Sequence, residues 1–171
     1  WSLNPEMLMA ARRDPELRRI LAGSSLVVAD GIGVVWASRL LGRPLPERIA
    51  GIDLVTAAIG RAAKDGRTLY LLGGEPGIAQ KAAERLRQRF PGLRVIGTRH
   101  GYFSEAEEGE VIREISEAAP DLLLVGLGTP KQERWIHQHR EQLGARVAVG
   151  VGGALDVFAG KVQRAPLVWQ K

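Results

Sequence analysis

The sequence predicts an α/β protein, a Rossmann-like three-layer sandwich with a mainly parallel sheet. Strand-like and helix-like runs alternate along its 171 residues. The strand-like runs are mostly continuous apolar stretches, which indicates that helices cover both faces of the sheet. Hydrophobic residues make up 45% and charged residues 25% of the chain, an ordinary globular composition. The length predicts a single domain over residues 1–171.

The predicted strands are short apolar segments bounded by glycine or polar residues. Residues 2–3 have the character of the end of a strand. The other strand-like segments, in chain order, are residues 25–29, 68–74, 93–99, 121–128 and 145–153.

The predicted helices carry start and stop signals. Asn4 is suited to cap the first helical stretch, and Asp14 followed by Pro15 divides that stretch into two helices. Ser104 is a predicted N-cap, with Glu107 completing a capping box. The helical stretches are residues 4–23, 33–42, 52–66, 76–92, 104–120, 130–144 and 154–161.

Composition and charge exclude several classes of protein. The chain has no cysteine, which excludes disulfides and thiolate metal sites. A net charge of +5 favours an anionic partner, either nucleic acid, a phosphorylated ligand or an acidic membrane surface. With two Tyr, three Phe and no aromatic-basic run, we expect no nucleic-acid partner. No apolar run reaches the roughly 18 residues of a spanning helix. The chain opens on Trp1 and closes within an apolar and basic run, so we expect a fragment truncated at both ends.

Glycine-rich loops follow most of the predicted strands. Ligands of open α/β sheets bind beyond the carboxyl ends of the strands, where glycine lets the backbone approach a ligand and helix N-termini attract anions. A single glycine-rich loop is common, because turns from a strand to a helix often need glycine. Several such loops at one sheet edge predict a phosphate or nucleotide site. The glycines concerned are Gly73, Gly74, Gly126, Gly128, Gly152 and Gly153.

The segment DGIGVVW, which begins at Asp30, is not a dinucleotide fingerprint. Trp36 occupies the position of the third glycine, and the acidic residue precedes the glycines instead of following them by about 20 residues. A P-loop sequence is absent as well. Asp30 keeps two interpretations, an N-cap of the helix that follows or a carboxylate base beside a sugar or phosphate ligand.

Two cations are candidates to bind an anionic ligand. Lys131 lies in the first turn of a helix, against the macrodipole, so it either reaches for an anion or is simply solvated. Arg48 lies in a proline-rich connector, where it either holds a pyrophosphate or is an ordinary surface residue. His137 and His139 cannot share a helix face, and no D-x-D motif occurs, so no metal or other cofactor is expected.

Several segments together resemble the WecG/TagA/CpsF glycosyltransferases, and TagA-type N-acetylmannosaminyltransferases most of all. The resemblance implies an inverting, metal-independent transfer of a sugar, such as N-acetylmannosamine, from a UDP-sugar to a polyprenyl-diphosphate-linked GlcNAc. It also implies a role in teichoic acid or other surface polysaccharide synthesis, on the inner face of the cytoplasmic membrane. The family usually continues into a C-terminal membrane-docking segment, which we expect to be missing from these 171 residues. The segments are SLNPEML, VVADGIGVVWASRLLG, ERIAGIDL, LYLLGGEPG, GYF, LLLVGLGTPKQERWI and VGVGGALDVFAGKVQRAPLVWQK.

The resemblance also implies roles for single residues. Asp30 matches the proposed general base and Arg48 the active-site arginine. Gln132 and Ser2 match residues that orient donor or acceptor sugar, with Ser2 standing where the family usually has threonine. Asn4, Tyr102 and Asp156 match substrate-binding positions of the family. The loop argument given above adds Lys131 and the six loop glycines to the predicted substrate-binding residues.

Two other functions remain open at this stage. A Rossmann-type oxidoreductase is disfavoured by the failed fingerprint. A non-catalytic nucleotide-binding domain would leave Asp30 as a helix cap only. The apolar helix of residues 33–42 belongs either to the core or to an interface, so a homo-oligomer is possible.

Overall fold

A computed structural model describes residues 1–163, which form two compact units, residues 1–55 and 56–163. Within this range the protein is mixed α/β, and every paired strand is parallel to its neighbour. The predicted fold class is therefore confirmed, with the strands divided between two sheets. The single-domain assignment stays a prediction. The last part of the family resemblance, residues 164–171, lies outside the described residues.

The first unit pairs two very short strands and carries helices α1 to α3. Ser2 of β1 pairs with Val28 of β2, and Leu3 pairs with Ala29. The elements are β1 (Ser2–Leu3), α1 (Pro5–Arg13), α2 (Pro15–Ala22), β2 (Val28–Ala29) and α3 (Ile32–Leu40), after which α4 (Gly51–Lys64) begins.

The predicted Asn4 cap and the predicted helix break at Asp14 are confirmed. The Asn4 side chain accepts a hydrogen bond from the Met7 N–H at 2.8 Å. Asp14 ends α1 and caps α2, because its carboxylate accepts from the Glu16 and Leu17 amides at 3.1 and 3.0 Å. These caps satisfy amides that a helix start leaves unpaired. They set α1 against α2 around a small core of Met7, Ala11, Leu17 and Leu21.

The strand predicted over residues 25–29 is wrong in its extent. Only Val28–Ala29 pairs, and the Leu26 side chain before it is 58% exposed. The paired segment is short because the partner strand β1 consists only of Ser2–Leu3, so the other predicted residues have no strand to pair with.

The second unit is built on a four-stranded sheet in the order β4-β3-β5-β6. The two inner strands are almost wholly buried, as their continuous apolar sequences predict, whereas the outer strands are half exposed because each has only one neighbour. The strands are β3 (Thr68–Gly73), β4 (Arg94–Arg99), β5 (Leu122–Gly126) and β6 (Val147–Gly150). The helices are α5 (Ile78–Arg89), α6 (Glu105–Ala118), α7 (Lys131–His139) and α8 (Ala154–Phe158).

The helices of this unit cover both faces of the sheet. The chain moves outward from β3 to β4 and then back across to β5 and β6. Right-handed crossovers place α5 on one face and α6 and α7 on the other. The observed packing agrees, since α5 packs against α8, and Trp135 of α7 donates a hydrogen bond to Glu108 of α6 at 2.9 Å.

The start of α6 follows the predicted capping box. The Glu107 carboxylate accepts from the Ser104 amide at 2.8 Å and from the Ser104 hydroxyl at 2.7 Å. These hydrogen bonds lower the pKa of Glu107.

The sheet has a topological switch point between β3 and β5. These neighbouring strands send the chain in opposite directions, which opens a crevice beyond their carboxyl ends. Gly73 closes β3 with a φ of +136°, and a Cβ there would overlap the Gly126 carbonyl at the end of β5. Glycine is therefore required where the two strands enter the crevice.

Candidate functional site

An open cleft of about 710 Å³ occupies the switch point of the second unit. This size suits a small-molecule ligand. All four strands of the sheet contribute the loops that line it, as expected for convergent glycine loops. The lining includes Gly74 and Glu75 after β3, Gly101, Tyr102, Phe103 and Ser104 after β4, Gly126 at the end of β5 with Leu127 and Gly128 after it, and Gly152 and Gly153 after β6.

Charged residues of α7, of α8 and of the segment just after α8 also line this cleft. Lys131, Asp156 and Lys161 complete its lining. The structure thus brings together most of the predicted substrate-binding residues; Gly73 ends β3 at the cleft, and Asn4 caps α1 in the first unit. Whether they bind a substrate stays a prediction.

The cleft offers both cations and ring faces. The Lys131 ammonium lies 5.6 Å from the centroid of the Phe103 ring, within reach of a cation–π interaction. Tyr102 is 70% exposed. Such an arrangement can hold a flat base and an anionic group in one site.

Lys161 is a cleft residue that the sequence did not single out. Its ammonium lies 2.9 Å from Glu75 Oε2 and 3.6 Å from Asp156 Oδ1. The hydrogen bond to Glu75 raises the pKa of Lys161, so the ammonium stays charged. Its only signal in the sequence is its place just beyond the helix that follows the last glycine loop.

A buried hydrogen-bond network lies next to the glycine loops. Gln132 is 3% exposed; its Nε2 donates to Glu133 Oε1 at 2.8 Å, and its Oε1 accepts from the Gly152 amide at 2.9 Å. The Thr129 hydroxyl donates to the same Glu133 oxygen at 3.4 Å. The predicted Gln132 therefore engages both ends of its amide within the protein.

Glu133 is a second functional candidate that the sequence did not single out. Its side chain is fully buried, and among residues 1–163 its Oε2 atom has no hydrogen-bond partner. Burial raises the pKa of Glu133, although the hydrogen bonds from Gln132 and Thr129 oppose that shift. Nothing in the sequence indicates burial, because a glutamate in the first turn of a helix is usually solvated.

Asp30 does not cap the helix that follows it. The N-cap of α3 is Gly31, at φ +116°, and no side chain bonds there. The Asp30 carboxylate instead accepts a hydrogen bond from the Gly51 amide at 2.8 Å, at the start of α4. Of the two interpretations of Asp30, the one as N-cap of α3 is thus wrong. The carboxylate still meets a helix N-terminus, whose dipole favours negative charge.

Ser2 and Asp30 come together around Gly51. Both end up there because β1 and β2 pair in parallel. A Cβ on Gly51 would lie 2.5 Å from Ser2 Oγ and 3.2 Å from Asp30 Oδ2. Arg48 lies half-buried in the preceding connector, which is tied to β2 by a hydrogen bond of 2.8 Å from the Ile49 amide to the Ala29 carbonyl.

Residues 1–163 hold neither a metal-binding cluster nor a membrane-spanning helix. Over residues 1–163 no group of three His, Cys, Asp or Glu side chains is placed to hold a metal ion. None of the helices in that range combines the length and apolar character needed to cross a membrane.

Comparison with known proteins links the whole chain to one family. The profile described as "Glycosyl transferase WecG/TagA/CpsF family" matches residues 1–171. A protein of Bacillus spizizenii is 38% identical over 163 residues, covering 95% of this chain and 63% of the relative. A Bacillus subtilis protein is 35% identical over 165 residues, covering 96% and 64%. A Staphylococcus aureus MRSA252 protein is 38% identical over 168 residues, covering 98% and 65%.

All three relatives carry the same name, N-acetylglucosaminyldiphosphoundecaprenol N-acetyl-beta-D-mannosaminyltransferase. The chain spans just under two thirds of the length of these relatives, between 63% and 65%.

Proposed function

Because this chain belongs to the WecG/TagA/CpsF family of glycosyltransferases, we propose that it transfers N-acetylmannosamine from a UDP-sugar to a polyprenyl-diphosphate-linked GlcNAc. The observation that carries the proposal is the cleft at the switch point, with its glycine loops and two lysines. The names of the relatives supply the sugar and the acceptor class. An undecaprenol acceptor is a lipid, so we infer that the reaction takes place at the cytoplasmic membrane surface.

The cleft binds the nucleotide in this proposal. The Lys131 and Lys161 ammoniums supply positive charge for the diphosphate, and the loop amide of Gly128 adds a donor. Tyr102 offers its exposed ring to the uracil, and Asp156 accepts from nucleoside hydroxyl groups. Gln132 acts by holding the Gly152 amide.

Asp30 is the base in this proposal. Asp30 Oδ2 holds the Gly51 amide, and we assign Oδ1 to the acceptor hydroxyl. The carboxylate takes the hydroxyl proton as that oxygen bonds to the anomeric carbon. The bond from that carbon to UDP breaks, its electron pair leaves with UDP, and the configuration inverts. We propose that Arg48 stabilises the negative charge that develops on the leaving UDP, and that Ser2 orients a sugar hydroxyl.

The test is transfer by the full-length protein, with UDP-N-acetylmannosamine and other UDP-sugars as donors and a lipid-diphosphate-GlcNAc as acceptor. Asp30→Asn is expected to lower turnover at least about a hundredfold, since a positioned base contributes that much. Asp65→Asn is the matched control, because in the described structure Asp65, just after α4, forms an ion pair only with Arg61.

Near-normal turnover of Asp30→Asn would overturn the base assignment. UDP binding without transfer from any donor would favour a non-catalytic nucleotide-binding protein. Thermal stabilisation by NAD(H) but not by UDP would favour an oxidoreductase.

A further inference from the structure

The fully buried carboxyl group of Glu133 has no part in the reaction proposed above. Burying an ionisable group is costly unless its hydrogen bonds are satisfied, and Glu133 satisfies only one of its two oxygens among residues 1–163. An unsatisfied buried group calls for an explanation, and the bonded oxygen of Glu133 offers one. That oxygen, Oε1, accepts from the Gln132 side-chain amide at 2.8 Å.

The contact determines which way the Gln132 amide points. A carboxamide presents a donor on one side and an acceptor on the other, and the two orientations have nearly the same shape. Glu133 Oε1 accepts, so it selects the orientation in which Nε2 faces it. Gln132 Oε1 then faces the Gly152 N–H, which needs an acceptor. With an apolar residue at position 133, only the Gly152 N–H would select between the two orientations, and in the flipped one a donor would face that N–H.

The Gly152 amide in turn sets the position of a cleft loop. Gly152 has a φ of +50°, and its carbonyl lies so close to β5 that a Cβ on Gly126 would come within 2.8 Å of it. A second link joins the same helix to the other loop, since the Gln132 backbone amide donates to the Gly128 carbonyl at 2.9 Å. Gly126, Gly128 and Gly152 all line the cleft.

We propose that Glu133 is a positioning residue: by orienting the Gln132 amide, it holds the loop at Gly152 in the conformation that binds the ligand of the cleft. It touches no substrate and acts only through Gln132. The choice of UDP as probe rests on the proposed function, but the loop conformation itself can be measured without any ligand.

The first experiment measures hydrogen exchange of the Gly152 backbone amide by NMR, in the ligand-free protein. Wild type is expected to exchange slowly, and Glu133→Leu, which removes the acceptor and keeps the bulk, at least about tenfold faster, as loss of one hydrogen bond predicts. Glu133→Gln keeps an acceptor oxygen and is expected to preserve the protection. Glu141→Leu, at an exposed site beyond α7, is the matched control.

The second experiment measures UDP affinity by calorimetry, well below the unfolding temperature of each variant. Glu133→Leu and Gln132→Leu are each expected to weaken UDP binding about tenfold, and the double variant no further, because the two residues act in series. The proposal would be overturned if the double variant lost UDP affinity by the product of the two single losses. It would also be overturned if the Gly152 amide exchanged at the same rate in Glu133→Leu as in wild type.

Failure of the two proposals can be told apart. Loss of Gly152 protection in Glu133→Leu, with no UDP binding by wild type, would support the positioning role and refute the proposed ligand. Should Glu133→Leu not fold, the Gln132 side-chain amide protons of wild type serve instead. Slow exchange of those protons supports the proposal, and exchange at the rate of a solvated glutamine overturns it.

Discussion

Asp30 Oδ2 accepts a hydrogen bond from the Gly51 backbone amide at 2.8 Å. This contact joins the end of β2 to the start of α4 across 21 residues of sequence. The carboxylate that we propose as the base is thereby held in one place by a helix N-terminus. Its position depends on how closely the backbone at Gly51 approaches.

Gly51→Ala is therefore expected to displace the carboxylate. The new Cβ would lie 2.5 Å from Ser2 Oγ and 3.2 Å from Asp30 Oδ2, so both side chains must shift. We expect sugar transfer to fall at least about tenfold, because small misplacements of reacting groups are costly. Initial rates with saturating donor would measure the effect.

Gly109→Ala is the control for this substitution. Gly109 lies inside α6, and a Cβ there meets no atom within 4 Å. Alanine should raise the free energy of unfolding by about 1 kcal/mol through helix propensity, and leave transfer unchanged. Equal rates for Gly51→Ala and wild type would show that the contact does not control the base.

Lys161→Met tests the charge of the cleft. Removal of the ammonium leaves Glu75 and Asp156 without the cation that now lies 2.9 and 3.6 Å from them. Both carboxylates would then repel a diphosphate, so we expect the Kd for UDP to rise about tenfold or more. Calorimetry at low ionic strength is the measurement, since salt screens exposed charges.

Lys81→Met on the exposed side of α5 provides the matched loss of charge outside the cleft. A Kd for Lys161→Met equal to that of Lys81→Met would mean that net charge, and not Lys161, governs binding.

Local features of the fold could be predicted from the sequence. Each of three helix boundaries depends on a hydrogen bond between residues only three positions apart. They are the Asn4 cap, the break at Asp14 and the start of α6 at Ser104. The inner strands β3 and β5 could be predicted because burial on both faces demands continuous apolar sequence.

Features that depend on distant partners could not be predicted. The two-residue extent of β2 follows from the length of β1, and the Asp30 carboxylate bonds Gly51 only after the chain has folded back. The burial of Glu133 depends on how α7 packs, which its helical sequence does not reveal. The cleft glycines were predictable as a group, because parallel strands bring their carboxyl ends to one edge.

Asp121 is expected to make stability depend on acid pH. Its Oδ2 accepts from the Thr68 amide at 2.9 Å and from the Thr68 hydroxyl at 3.1 Å, which joins the starts of β3 and β5. The backbone hydrogen bond is the main cause of the lowered pKa of Asp121. A carboxyl group with a lowered folded-state pKa stabilises the fold above its ordinary pKa, and this contribution is lost as pH falls through the folded-state value.

Asp121→Asn should therefore unfold at lower urea concentration than wild type near pH 7, and the difference should shrink below pH 3.8, the ordinary value. Glu117→Gln, in an exposed pair with Arg113, is the control and should show little difference at either pH. A gap between Asp121→Asn and wild type that stays constant down to acid pH would contradict the linkage.

Glu133 is expected to produce the opposite pH dependence. Burial raises the pKa of Glu133 above its ordinary value of 4.5, so the folded protein binds more protons than the unfolded chain between those two values. The free energy of unfolding contributed by this group is then fully present below 4.5 and falls as pH rises through the folded-state pKa.

Glu133→Gln cannot ionise, and should lack this decline. Urea unfolding of both proteins from pH 4 to 7 isolates the effect, since every other titrating group is shared. Parallel stability curves would mean that Glu133 is ionised in the fold at no cost, and that the hydrogen bonds from Gln132 and Thr129 outweigh its burial.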